Sequence, residues 1–212
     1  VVQGDCLELM RQLPDGCVDA VVSDPPYGIS WTGPRMRRET VIGDDQPFDP
    51  NPLMRLSEVM ILWGANNFSS RLPDSKNWLV WTKRGENCAT KDHGDCELAW
   101  TRNVVNGGVK AKRFIWDGNI REIDYEMERF HPAQKPVTIM EWCLSFIPDA
   151  ETILDPFCGS GTTLVAAKKL GRHYLGFEIS EEYCQIARDR LARIDAQPTL
   201  FQPKPEQLEM TV

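Results

Sequence analysis

The sequence predicts an α/β domain built on a mainly parallel sheet with helices on both faces. Short apolar runs alternate with helix-like stretches along the chain, and strands that are apolar throughout belong to sheets covered on both sides. Two of those runs end in loop motifs, Asp24-Pro25-Pro26-Tyr27-Gly28 and Asp155-Pro156-Phe157-Cys158-Gly159-Ser160-Gly161. Ligands of such sheets sit beyond the carboxyl ends of the strands. At 212 residues, 42% hydrophobic and 26% charged, the chain buries a full core as one domain over residues 1–196.

In chain order, Leu7–Leu13 has helical character and leads to the apolar run Val18–Ser23. Pro52–Glu58 reads as a helix, and Met60–Gly64, Asn77–Lys83 and Cys96–Arg102 read as strands. Helical spacing returns over Val137–Phe146, followed by a strand at Thr152–Phe157 and a helix at Thr162–Leu170 that Gly171 stops. The last pair is the strand His173–Ile179 and the helix Glu181–Ile194. Ser180 caps that helix, and Glu181 and Glu182 suit the positive end of its dipole. After Ala196, Pro198, Pro203 and Pro205 mark an extended tail over 197–212.

Composition narrows the function. No apolar run approaches the roughly 18 residues that span a bilayer, and the first residues lack a signal pattern, so the chain reads as soluble and cytoplasmic. Its seven cysteines contain no CxxC pair and read as reduced packing residues. With His93, His131 and His173 far apart, no metal site is expected. A net charge of −7 argues against indiscriminate polyanion binding. Local basic clusters remain, Arg35, Arg37 and Arg38 after the first motif and Lys110, Lys112 and Arg113 later; either is a candidate DNA contact or a solvated face.

At the second motif the strand runs into Gly159 and Gly161, which permit a tight turn, and Thr162 opens a helix. About twenty residues on, Glu178 ends the next strand, where an acid accepts the hydroxyls of a ribose. A dinucleotide site wants a third glycine where this chain has Leu164, and a P-loop wants Gly-Lys where it has Gly161-Thr162. An adenosine cofactor without pyrophosphate, such as S-adenosylmethionine, fits better; the structural alternative is a glycine turn with no ligand.

The first motif suits a flat ring bearing an exocyclic amine. That nitrogen's lone pair is delocalised into the ring, so acceptors for its two hydrogens help turn the lone pair toward an electrophile. Asp24 supplies one acceptor and the Pro25 carbonyl the other. Pro26 restricts Pro25 and makes that carbonyl rigid, and Tyr27 stacks on the ring. A base inside a duplex must be rotated out to reach such a pocket. The bland alternative is a turn that ends a strand.

With these motifs the chain resembles the amino-methylating DNA methyltransferases of the permuted beta group, in which the catalytic motif precedes the cofactor motif. Further matches are Gln3-Gly4-Asp5-Cys6, Trp63-Gly64-Ala65-Asn66-Asn67-Phe68, NWLVWTK at 77–83, Glu97-Leu98-Ala99-Trp100, His131-Pro132-Ala133-Gln134-Lys135-Pro136 and GFEIS at 176–180. The resemblance implies a Rossmann-like, seven-stranded methyltransferase sheet, with Val1–Gly4 as a strand beside His173–Ile179. It implies S-adenosylmethionine as cofactor, with Asp5 at its adenine end and Glu178 at its ribose. Phe157 with Asp155, Gly159 and Gly161 would lie at the methionine part, and His131, Lys135 and Thr162 near the methionine carboxylate. The implied reaction is methylation of adenine N6 in double-stranded DNA by Asp24, Pro25, Pro26 and Tyr27, in an enzyme of bacterial or phage type. The same scaffold methylates cytosine N4, and a non-catalytic partner subunit is a further alternative. The opening at Val1 without methionine suggests that a few residues precede it. Only the stretches Thr32–Pro50, Gly85–Asp95 and Asn103–Arg129 are left for target recognition, which is then compact or shared across a homodimer.

Overall fold

The computed structural model describes residues 1–30, 42–84, 94–117, 120–124, 130 and 134–196. Arg35, Arg37, Arg38, His131 and the tail from 197 lie outside the described residues, as do most of the first two recognition stretches. In chain order the elements are β1 (Val2–Gln3), α1 (Cys6–Arg11), β2 (Ala20–Ser23), α2 (Asn51–Met54), β3 (Met60–Trp63), β4 (Trp78–Thr82), β5 (Cys96–Arg102) and β6 (Val109–Arg113). They continue with β7 (Trp116–Asp117), β8 (Ile120–Arg121), α3 (Val137–Leu144), β9 (Thr152–Asp155), α4 (Thr162–Lys169), β10 (His173–Glu178) and α5 (Glu181–Asp195).

One sheet runs β1-β10-β9-β2-β3-β5-β4-β6, and β7 and β8 form a separate small hairpin. Within the main sheet only β5 runs antiparallel to its neighbours. The expected strands are all present, β1 beside β10 included. An eighth joins them, because β6 adds parallel to β4 at the edge. Val-Lys-Ala-Lys-Arg has no apolar run, and four of its five residues are exposed, so it does not announce itself as a strand.

The two faces of the sheet follow from the period-2 alternation of its strands. Val22, Ile61, Trp63 and Ile153 point into the core shared with α3 and α4, whereas Val21, Met60, Leu62 and Leu154 point into the core shared with α1 and α2. Both sets are fully buried, which explains why these strands read as unbroken apolar runs. Among the described residues no helix is long and apolar enough to cross a membrane, and Cys6, Cys17, Cys96, Cys143, Cys158 and Cys184 are free thiols.

Candidate active site

Adjacency of β2 and β9 brings the two motifs together. The strands pair in parallel, Val21 opposite Leu154, so both chains leave the sheet at the same edge. There Ser23 Oγ donates to Asp155 Oδ1 at 2.7 Å across 132 residues of sequence. A single cavity of about 1440 Å³ is lined by Asp24 and Tyr27 on one side and by Phe157, Gly159 and Glu178 on the other. Single-ligand pockets occupy roughly 300–1,000 Å³, so this one has room for two.

At the glycine turn, hydrogen bonds within the loop combine with bonds from distant elements. Asp155 accepts from Ser23, from the Phe157 N–H at 3.1 Å and from Thr163 Oγ1 at 2.6 Å. Burial pushes the Asp155 carboxyl up to about 6 against these hydroxyl and N–H donors. Its oxygens therefore shape the loop from within. Gly159 and Gly161 have φ of +50° and +83°, and a Cβ on Gly161 would lie 2.8 Å from Ala187 Cβ; only glycine lets the turn sit on α5. From α5 the buried Arg190 donates to Ser160 O at 2.5 Å and to Thr162 Oγ1 at 3.2 Å. Gln134 Oε1 joins the turn to the preceding segment, accepting from Ser160 Oγ at 3.3 Å and from the Phe130 N–H at 2.9 Å.

The far wall of this side comes from β1 and β10. Gln3 pairs with Glu178, which sets Asp5 beside it. Asp5 Oδ1 accepts from Leu7 N at 2.8 Å and Glu8 N at 3.1 Å and caps α1. Glu178 Oε1 accepts from Ser180 N at 2.8 Å, and both acids line the cavity.

The catalytic motif is held differently. The Tyr27 hydroxyl donates to Asp24 Oδ1 at 2.6 Å, and its ring packs directly against Gly64, where a Cβ would fall 1.9 Å from Tyr27 Cε1. Burial and the neighbouring Asp24 and Glu97 push the Tyr27 phenol well above its ordinary value. Behind the motif, Asp44 Oδ1 accepts from the Gly28 N–H at 2.8 Å. Lys135 Nζ pairs with Asp24 Oδ2 and lies 3.1 Å from Glu97 Oε2, and Lys83 Nζ meets Glu97 Oε1 at 2.8 Å. Burial alone would push Glu97 up, but Lys135 and Lys83 outweigh it and hold the carboxyl at about 2.

Thus Asp24, Tyr27, Asp155, Phe157, Gly159, Thr162, Glu178, Asp5 and Lys135 converge on one cavity, whereas Gly161 packs against Ala187 of α5. Lys135 stands at its catalytic end, against Asp24. Lys110, Lys112 and Arg113 lie on β6, and strand alternation places the two lysines on one face and the arginine on the other. Glu97 and Lys83 went unrecognised as site residues, although one charge near an end of each of the apolar runs NWLVWTK and CELAW was the available signal.

A family model described as DNA methylase, of the N6/N4 methyltransferase kind, matches residues 60–189. The chain is 30% identical to YubD of Escherichia coli (strain K12), provisionally named a methylase, over 91% of this chain and 90% of that protein. Its fold is similar to that of the M1.HpyAVI–SAM complex, with 24% identity, a TM-score of 0.56 and 89% and 98% of the two chains covered. It is also similar to that of the cytosine-N4-specific PvuII DNA methyltransferase, with 14% identity, a TM-score of 0.62 and 94% and 86% covered.

Proposed function

The chain belongs to the N6/N4 DNA methylase family, and on that premise we propose that it transfers a methyl group from S-adenosylmethionine to adenine N6 in double-stranded DNA, on a base turned out of the helix. The observation that carries this reading is the shared cavity, with the amine-binding motif and the glycine turn opening into it from adjacent strands. The motif order, Asp24 before Gly159, is that of the permuted beta group. The Asp-Pro-Pro-Tyr form favours adenine, which it more often accompanies in the family it resembles.

The donor set at the turn fits the cofactor. Glu178 offers a carboxylate fixed by the Ser180 N–H, Phe157 offers an aromatic wall, and the motif carries no lysine of the P-loop kind that would grip a pyrophosphate. Glu178 and Asp5 hold the ribose and adenine end, and Phe157 with the Gly159–Gly161 turn holds the methionine part. When bound, S-adenosylmethionine supplies an electrophilic methyl on its sulfonium.

The remaining work falls to the chain. Asp24 and the Pro25 carbonyl accept the two amine hydrogens and expose the nitrogen lone pair. Tyr27 supports the base and orients the Asp24 carboxylate through its hydroxyl. The proton shed by the methylated nitrogen passes to Asp24. The apolar walls of the cavity, Trp81 and Trp116 among them, exclude water from the reacting amine.

The test is incubation with methyl-labelled S-adenosylmethionine and mixed-sequence duplex DNA, then nucleoside digestion and mass spectrometry. N6-methyladenine is expected. N4-methylcytosine alone would replace adenine by cytosine as the target, and absence of label would favour a non-catalytic partner subunit.

A further inference from the structure

We infer that Lys135 is a positioning residue for Asp24, serving the methyl-accepting amine rather than the cofactor carboxylate, and that Glu97 and Lys83 hold it in that place. The inference rests on the methyl-transfer reading and assigns this cluster its part in it. Lys135 carries a side chain only 4% exposed. An ammonium has three hydrogens to give, and Lys135 Nζ has three oxygens around it: Asp24 Oδ2, Glu97 Oε2 at 3.1 Å and Tyr27 Oη at 3.4 Å. Its charge also sits 5.4 Å from the centre of the Trp63 ring. Among the described residues these three oxygens all belong to the amine-binding side of the cavity.

The cluster forms a chain of alternating sign, Lys83 to Glu97 to Lys135 to Asp24. Lys83, Glu97 and Asp24 keep about a quarter of their side-chain surface exposed while Lys135 is almost wholly buried; burying a charge is costly, so the placement of Lys135 beside the amine-binding motif calls for a functional account. Without Lys135, Asp24 would lose its cationic partner and face Glu97, whose charge only Lys83 would then offset, which favours protonation of Asp24. A protonated Asp24 becomes a donor where the reaction needs an acceptor. Lys135 on Oδ2 and Tyr27 on Oδ1 also fix the plane of the carboxylate, so the entering amine meets an acceptor already oriented. Other titratable groups facing the cluster are Asp44 behind Tyr27, Asp155 at the neighbouring strand end, and Cys143 on α3.

The experiment follows the Asp24 carboxyl by NMR in the full chain labelled with ¹³C at aspartate Cγ, with Asp24→Asn used for assignment. S-adenosylmethionine affinity is measured in parallel by calorimetry. Lys135→Met is expected to move the Asp24 NMR titration to higher pH, and Glu97→Gln to move it lower, while cofactor Kd changes less than about threefold. Lys135→Arg, which keeps the charge, should restore most of the titration. Turnover should fall on the order of a hundredfold in Lys135→Met. A cofactor Kd loosened tenfold or more with the Asp24 titration unmoved would overturn the inference, as would movement of both variants in the same direction. Circular dichroism identifies a variant that has not folded, in which case Glu97→Gln and Lys135→Arg decide by sign. Should the wild-type chain methylate no DNA, the functional reading falls, whereas the titrations still settle which group Lys135 serves.

Discussion

The glycine turn after β9 and the charged cluster after β2 open on one cavity but are assembled in opposite ways. At the turn, Asp155, Phe157, Cys158, Gly161 and Thr163 lie within nine residues and bond among themselves, with Ser23, Gln134 and Arg190 reaching in. At the cluster, Asp24, Lys83, Glu97 and Lys135 arrive from four separate stretches of chain. A locally closed loop gives a fixed cradle, and a cluster gathered from distant strands gives a polar group whose charge is tuned by remote neighbours. If that division is right, damage on one side should leave the other side's measurement intact.

The largest separation is expected from Asp24→Ala. Methyl transfer should fall by on the order of 10³-fold or more, the scale of losing a transition-state hydrogen-bonding group in a dry site. Cofactor Kd, measured by calorimetry, should stay within about threefold. A variant that loses cofactor binding but turns over normally once loaded would break the comparison. On the other side, Gly161→Ala meets both the left-handed backbone, about 1–2 kcal/mol for a non-glycine, and the Ala187 side chain, about 1–3 kcal/mol of overpacking. Urea unfolding should show a loss of about 3 kcal/mol together with weaker cofactor binding.

The same contrast governs what was legible in the sequence. Strands β2, β3 and β9 were legible because burial on both faces leaves them largely apolar, and the turn was legible because its glycines and hydroxyls are consecutive. Strand β6 was not, since an edge strand with four exposed residues carries no hydrophobic period. Nor were Glu97 and Lys83 assigned to the site. Their meeting depends on the antiparallel pairing of β4 with β5, which sets Trp81 opposite Glu97, and no local spacing encodes that register. Lys135 was found as a residue, and the resemblance put it at the cofactor, whereas its partners come from elements far along the chain.

The two regions should also titrate with opposite sign. Glu97, held at about 2 against an ordinary 4.5, contributes stability above its unfolded pKa that is lost as pH falls from about 4.5 toward 2. The Asp155 carboxyl, raised to about 6 from 3.8, binds its proton more tightly in the folded chain, so its cost to stability grows as pH rises from about 4 to 6. Thermal melts should therefore show the advantage of wild type over Glu97→Gln shrinking below pH 4.5. Asp155→Asn should gain on wild type between pH 4 and 6.5. Curves of the same slope for the two variants would mean that the regions do not differ as described.

The smallest effect sharpens the boundary between the regions. Phe48 comes from the stretch before α2 that sequence alone assigned to target recognition, yet its ring meets Phe157 edge-on at 5.6 Å and Phe68 at 4.9 Å. Its backbone carbonyl is tied by Arg71 at 2.6 Å. Phe48, which itself lines the cavity, is thus a further distant piece of the cofactor cradle, packed against the aromatic wall. An aromatic pair contributes about 0.5–1.5 kcal/mol beyond burial, so Phe48→Leu should weaken S-adenosylmethionine binding roughly two- to tenfold and leave kcat at saturating cofactor unchanged. A fall in kcat with cofactor affinity intact would place Phe48 with the base instead, and the turn's distant support would then come from Ser23, Gln134 and Arg190.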